Sequence, residues 1–158
     1  MIKYVQGDIL RSKAQLIAHG VAPNDHFTNG LALALRERWP AMVKDFRHYC
    51  RTEHPKPGAV WLWGGPGVMI ANLMTQEPAA TEHANPGKAT LQAIGDALKH
   101  LKDLVRRDRI TSLALPRLAT GVGGQHWAEV KPMIEHHLAD LDIPVYVYDV
   151  YRPGVEAE

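Results

Sequence analysis

A single cysteine, Cys50, stands in the whole chain, so no internal disulfide can form and a reducing cytoplasm is the expected setting. No apolar run is long enough to cross a bilayer, and the N-terminus carries no secretory signature, which removes the membrane classes. Charge of one sign is missing as well. The 18 Lys and Arg against 17 Asp and Glu leave a formal +1, too little for a dedicated duplex-DNA binder. Nine histidines are present, yet there is no H-E-x-x-H and no C-x-x-C, and the neighbours His136 and His137 point to different sides of a helix. No metal site and no cofactor are therefore expected. Repeats, linkers and low-complexity tracts are absent too. What is left, 158 residues of which 46% are hydrophobic, suits one globular domain over residues 1–158.

Continuous apolar runs predict strands at Ile2–Gln6, Leu16–Val21, Val60–Trp63, Val68–Met74, Ser112–Pro116 and Val145–Val150, most of them covered on both faces. Helical stripes lie between them. Leu91, Ile94, Leu98, Leu101 and Val105 form one, and Trp127, Val130, Ile134, Leu138 and Leu141 another. Leu31 and Leu35 mark a shorter helix ending near Trp39, and Pro40 opens a further one that buries Val43, Phe46 and Cys50. The stretches EHPKPG and WGGPG punctuate the connections that follow. Strands interleaved with helices imply an α/β fold, a three-layer α/β/α sandwich around a central mixed sheet. Ligands of such sheets gather where strands end and helices begin. GDIL after the first strand, APNDHFTNG after the second and LATGVGGQ after the fifth hold those places.

The third of these segments joins a strand to a helix through Gly121, Gly123 and Gly124. Glycines let backbone N–H groups converge, and a helix N-terminus adds partial positive charge, so the loop is either an anion site or an ordinary tight turn. It completes neither a P-loop nor G-x-G-x-x-G.

Taken in order, YVQGDIL, LIAHGVAPNDHFTNGLALALRERWP, LPRLATGVGGQHWAEVKPMIEHHL and IPVYVYDV make the chain resemble a macrodomain, the ADP-ribose-binding module, over nearly its whole length. The AHG and LPRL…G…W features resemble the branch that holds the terminal ADP-ribose protein glycohydrolase, the chromatin-remodeller macrodomain and the ADP-ribose-1''-phosphate phosphatases. The resemblance implies a role for each segment. Asp8 would accept from the adenine amine, with the Ile9 N–H beside it; a carboxylate suits an amino-purine, and a helix or turn cap is the lesser alternative for Asp8. The backbone of Ala119, Thr120, Gly121, Val122, Gly123 and Gly124 would cradle the diphosphate, with Gln125 or His126 opening the helix behind it. Asn24 would face the second ribose, where Asp25 and His26 are candidate proton carriers or plain turn residues. His19 is a candidate ligand contact or a hydrogen-bonded core histidine. Val150 would pack on adenine, or Tyr151 would stack there instead.

Two departures from the family pattern stand out. FTNG replaces a glycine-rich loop; Asn29 tolerates positive φ but Thr28 does so poorly, so a differently shaped loop is expected, in which Phe27 and Thr28 narrow access to the distal ribose. Gln76 and Gly123 fall where the glycohydrolase has its attacking lysine and assisting aspartate, and neither can replace them. Lys88, the nearest downstream lysine, reads as a solvated residue in the first turn of a helix. The expected partner is thus ADP-ribose or an ADP-ribosylated macromolecule, protein or nucleic acid, bound alone or hydrolysed without the lysine mechanism. An ADP-ribose-1''-phosphate phosphatase is the first alternative. An RNA- or poly(ADP-ribose)-binding module using KHLKDLVRRDR is the second, against the reading of that run as a solvated helix face.

Overall fold

The structure, a computed structural model, describes residues 1–158. Six strands, β1 (Ile2–Gly7), β2 (Leu16–Val21), β3 (Val60–Gly65), β4 (Val68–Met74), β5 (Leu113–Pro116) and β6 (Val145–Tyr151), alternate with four helices, α1 (Gly30–Arg38), α2 (Pro40–Glu53), α3 (Leu91–Arg107) and α4 (Trp127–Leu138). A short 3₁₀ turn, Ile9–Arg11, follows β1. The sheet order is β1-β6-β5-β2-β4-β3. All neighbours run parallel except β3, which a hairpin sets antiparallel to β4, so the sheet is mixed as expected.

Alternation along β2 shows why its sequence is apolar throughout. Leu16 and Ala18 join the core beneath α3 and α4, which includes Ile94, Leu98, Leu101, Val130 and Ile134. Val21 turns the other way into the cluster of Phe27, Phe46 and Met42 around α1 and α2, and Ile17 into the one with Ile9 and Tyr148. Two faces need two apolar sets, and the strand supplies both. A helix layer therefore covers each face, giving the α/β/α sandwich.

Several local expectations shift. Gly64 and Gly65 complete β3 instead of punctuating it; the turn falls on Pro66 and Gly67, where Gly67 has φ +71°. Leu91 is exposed, because it opens the first turn of α3 just after the capping Thr90 and has not yet reached the sheet. Leu141 is buried but lies beyond the end of α4. The cationic run on α3 is partly paired, Lys102 and Arg106 with Asp140 and Arg107 with Asp108, as a solvated helix face would be. No helix is long and apolar enough to cross a membrane.

Pro132 sits inside α4 on its exposed side. It has no N–H to give to the carbonyl one turn back, and nothing buried depends on its ring. Pro132→Ala should therefore raise the unfolding free energy by about 1 to 3 kcal/mol, read as a higher urea midpoint. A lower midpoint would mean that the proline's hold on the backbone is needed.

Candidate functional site

β1, β2, β5 and β6 end on the same edge of the sheet, and the segments that follow them wall a cleft. It has two lobes, of about 430 and 210 Å³, that share Gly30, Leu31 and Pro116. The sheet topology alone brings these segments together, since they are far apart in sequence.

Asp8 and Ile9 line the larger lobe with Tyr148 and Tyr151. Asp8 does cap the 3₁₀ turn, its Oδ1 accepting from Leu10 N–H at 3.0 Å, while Oδ2 accepts from Gly154 N–H at 2.9 Å. Each oxygen keeps a lone pair for a further donor, so capping and ligand contact are compatible. Of the two residues offered at the end of β6, Tyr151 is exposed on the lobe wall, whereas Val150 pairs with Gln6 and does not line it.

The glycine loop walls the smaller lobe. Ala119 and Gly124 are left-handed, at φ +62° and +74°, and the Ala119 carbonyl accepts from Gln125 N–H at 2.9 Å. A Cβ on Gly123 would lie 2.7 Å from that same carbonyl oxygen, so only glycine fits there. Gly124 N–H donates to Gly121 O, but the N–H groups of Thr120, Gly121, Val122 and Gly123 donate to nothing in the chain. Gly121, Val122 and Gly123 line the smaller lobe. Four consecutive unpaired donors at a cleft, with α4 starting just after at Trp127, suit an anion. Arg117 lines the same lobe, its guanidinium 5.4 Å over the Trp127 ring, and sequence reasoning did not single it out.

In the turn after β2, only part of the expected set reaches the cleft. Asp25 lines the smaller lobe. It is buried, with Oδ2 accepting from Ala22 N–H and Oδ1 from Phe27 N–H, at 2.9 and 2.8 Å. Asn24 and His26 are exposed and sit instead on a small outer pocket with Ala84. Phe27 does not crowd the cleft: it is left-handed at φ +56°, and its ring is fully buried against Phe46 and His19. Burying that ring offsets the cost of its backbone conformation. With Phe27 and Gly30 taking the positive φ values, Asn29 is extended at −133° and lines the lobe, a contact the turn chemistry of FTNG did not reveal.

His19 lies on the floor of this lobe, fully buried, and its protons can be assigned from its neighbours. Asn72 Nδ2 donates to Trp61 O, so Asn72 Oδ1 faces His19 and takes the Nε2 proton at 2.6 Å. Nδ1 is then a bare acceptor, and it has no partner. Burial lowers the ring's pKa to about 4 against the opposing effects of Asn72 and Asp25, so the imidazole is neutral.

Gln76 also lines the lobe, and its Nε2 donates to Gly87 O at 3.1 Å. Lys88 precedes α3 instead of opening it. Its carbonyl accepts from Glu77 N–H, and its Nζ would lie 3.0 Å from a Cβ on Gly124. It does not line the cleft.

No family model matches the chain. Among curated proteins it is similar to the DNA ADP-ribosyl glycohydrolase of Thermus aquaticus, 23% identical over 150 residues, a match that covers 94% of this chain but only 41% of that protein. It is also similar to the human ADP-ribose glycohydrolase OARD1, 24% identical over 148 residues, covering 93% of this chain and 90% of the relative. Among solved structures, the macrodomain of Mycobacterium tuberculosis DarG superposes with a TM-score of 0.80 at 25% identity, covering 98% of this chain and 99% of that one.

The neutral His19 has a consequence for stability. Its pKa in the folded chain, about 4, lies below the ordinary 6.5, so the unfolded chain takes up a proton that the native ring refuses. The contribution is complete above the higher value and is lost as pH falls through this window. Urea unfolding at about pH 7 and about pH 5 should therefore show a smaller loss of stability for His19→Leu than for the unmodified protein. Equal losses would mean that the ring is protonated in the fold.

Proposed function

The chain has the macrodomain fold, and on that premise we propose that it binds ADP-ribose, free or attached to a protein or nucleic acid, and releases the attached form with water as the attacking group. The observation that carries this reading is the row of unpaired N–H groups at Thr120–Gly123 on the lobe with Asp25, which adjoins the lobe with Asp8. ADP-ribose has the matching order of parts. Adenine fits the larger lobe, where Asp8 accepts from its amine and Tyr151 offers a ring face. The diphosphate takes the glycine loop, and the distal ribose enters the smaller lobe. The names of the relatives, both ADP-ribosyl or ADP-ribose glycohydrolases, support the same substrate class. A cytoplasmic setting suits the buried, free Cys50.

Hydrolysis would proceed by bonding of a water oxygen to C1'' of the distal ribose. The bond from C1'' to the carrier breaks with its electron pair staying on the carrier atom, which collects the proton that water gives up. Asp25 is the carboxylate on this lobe, and Asn29 lies beside it on the wall. Gln76 has no nucleophilic lone pair of the needed strength, so no covalent sugar intermediate forms there. Asn24 and His26, on the outer side of the turn, would act on the carrier end of the substrate rather than on the sugar.

Calorimetric titration should give a micromolar-range affinity for ADP-ribose, about −7 to −9 kcal/mol, and far weaker binding of AMP, which leaves the glycine loop unfilled. Equal affinities would remove the loop from the site. Asp8→Ala should cost about 1 to 3 kcal/mol of that binding. Gly121 has open space where a Cβ would go, so Gly121→Glu should fold normally and still abolish binding by putting a carboxylate among the donors. Incubation with ADP-ribose and a reducing trap should yield no adduct on Lys88 by mass spectrometry; an adduct there, with activity lost in Lys88→Ala, would overturn the water mechanism.

A further inference from the structure

Beyond β6 the chain turns back over the end of β1. Arg152 N–H donates to Gly7 O at 3.0 Å, its Nε donates to Gln6 Oε1 at 2.9 Å, and Asp8 N–H donates to Val155 O at 2.8 Å. Arg11 and Glu156 form an ion pair at 3.6 Å across the same seam. The fit leaves no slack: a Cβ on Gly7 would lie 2.8 Å from Ala157 Cβ and 2.9 Å from Val155 O.

Two contacts of this segment reach the lobe that holds Asp8. Gly154 N–H donates to Asp8 Oδ2 while Leu10 N–H donates to Oδ1, so one donor on either side fixes the plane of the carboxylate. Glu158 Oε2 accepts from the Tyr148 hydroxyl and from Ser12 Oγ, the latter at 2.5 Å. Tyr148 is a wall of the lobe, and Glu158 therefore anchors that wall at its far end. Burial and the Glu158 carboxylate both raise the Tyr148 pKa, which keeps the phenol a donor.

We propose that the Arg152–Glu158 segment is part of the base-recognition apparatus, with Gly154 and Glu158 as positioning residues that hold Asp8 and Tyr148 in register with a 6-aminopurine. This rests on the ADP-ribose reading above. A carboxylate clamped by two N–H groups presents its remaining lone pairs in one plane, so it accepts from an exocyclic amine and repels a carbonyl at the same place. Released, it turns toward water and loses that distinction. Glu158 touches no base; it acts through Tyr148 and Ser12.

The test titrates the whole chain with ADP-ribose and with its hypoxanthine analogue, in which a carbonyl replaces the amine. The unmodified protein should prefer ADP-ribose. Glu158→Ala should lower ADP-ribose affinity about tenfold and leave the analogue within about twofold, so that the preference collapses. Glu158→Gln should restore it, because an amide oxygen accepts from both hydroxyls, and Tyr148→Phe should reproduce part of the loss. Circular dichroism checks folding, and Tyr148→Phe decides the matter should Glu158→Ala fail to fold. An unchanged preference in a folded variant, or an equal loss of both ligands, overturns the proposal. Failure of the unmodified protein to bind either ligand refutes the ADP-ribose reading itself, a distinct result.

Discussion

The cleft depends on one hydrogen bond that closes the loop after β5, from Gln125 N–H to Ala119 O. Of the N–H groups inside the segment only that of Gly124 finds a carbonyl, on Gly121, and the bond requires left-handed backbone at Ala119 and Gly124 and no side chain at Gly123. Gly123 is buried while Gly121 and Val122 are exposed, so water meets the outer donors in the free protein and a ligand that brings acceptors can replace it. The loop thus leaves a row of free donors facing the cleft. It is also braced from behind, where Ala89 N–H donates to Gly123 O and Gln125 Nε2 donates to Ala89 O, at 2.9 and 2.8 Å.

That construction needs no cationic cluster, which fits the near-zero net charge of the sequence. Backbone dipoles and a helix end supply the positive potential, so an anion can be held without a cluster of lysines that would repel one another in the free protein. Arg117 is the exception on the wall, and its charge rests on Trp127 rather than on a carboxylate. A guanidinium over a ring keeps its N–H edge free for a ligand oxygen, which a salt-bridged arginine does not.

The layers, the strands and the glycine loop were legible in the sequence because each is written in local terms: apolar continuity, helical spacing, and glycines between a strand and a helix. The turn after β2 was not. Asn24, Asp25 and His26 are consecutive and chemically alike as turn residues, and which of them faces the cleft is set by where Phe27 goes. Its ring falls into the core beside Phe46, which rotates Asp25 inward and leaves Asn24 and His26 outside. A tertiary contact thus decides a local choice. Lys88 was misread for a similar reason: the pairing of Gln76 with Ala89 holds it in extended chain ahead of α3, and no helical spacing reports that bridge.

Gln76, which stands where the resemblance expects a lysine, is built into the fold through its amide. Its amide donates to Gly87 O, and Gly87 N–H in turn donates to Glu77 O, closing the long excursion between β4 and α3 at its base. The next residues, Lys88 and Ala89, are those that brace the glycine loop from behind. An ammonium at position 76 can donate to the same carbonyl only as an ion, and burial of that ion beside the lobe would have to be met by a counter-charge. Gly123 admits no side chain, which leaves Asp25 as the carboxylate on this lobe. The neutral amide at 76 needs no counter-charge, and in the proposed mechanism the attack on the sugar is left to water.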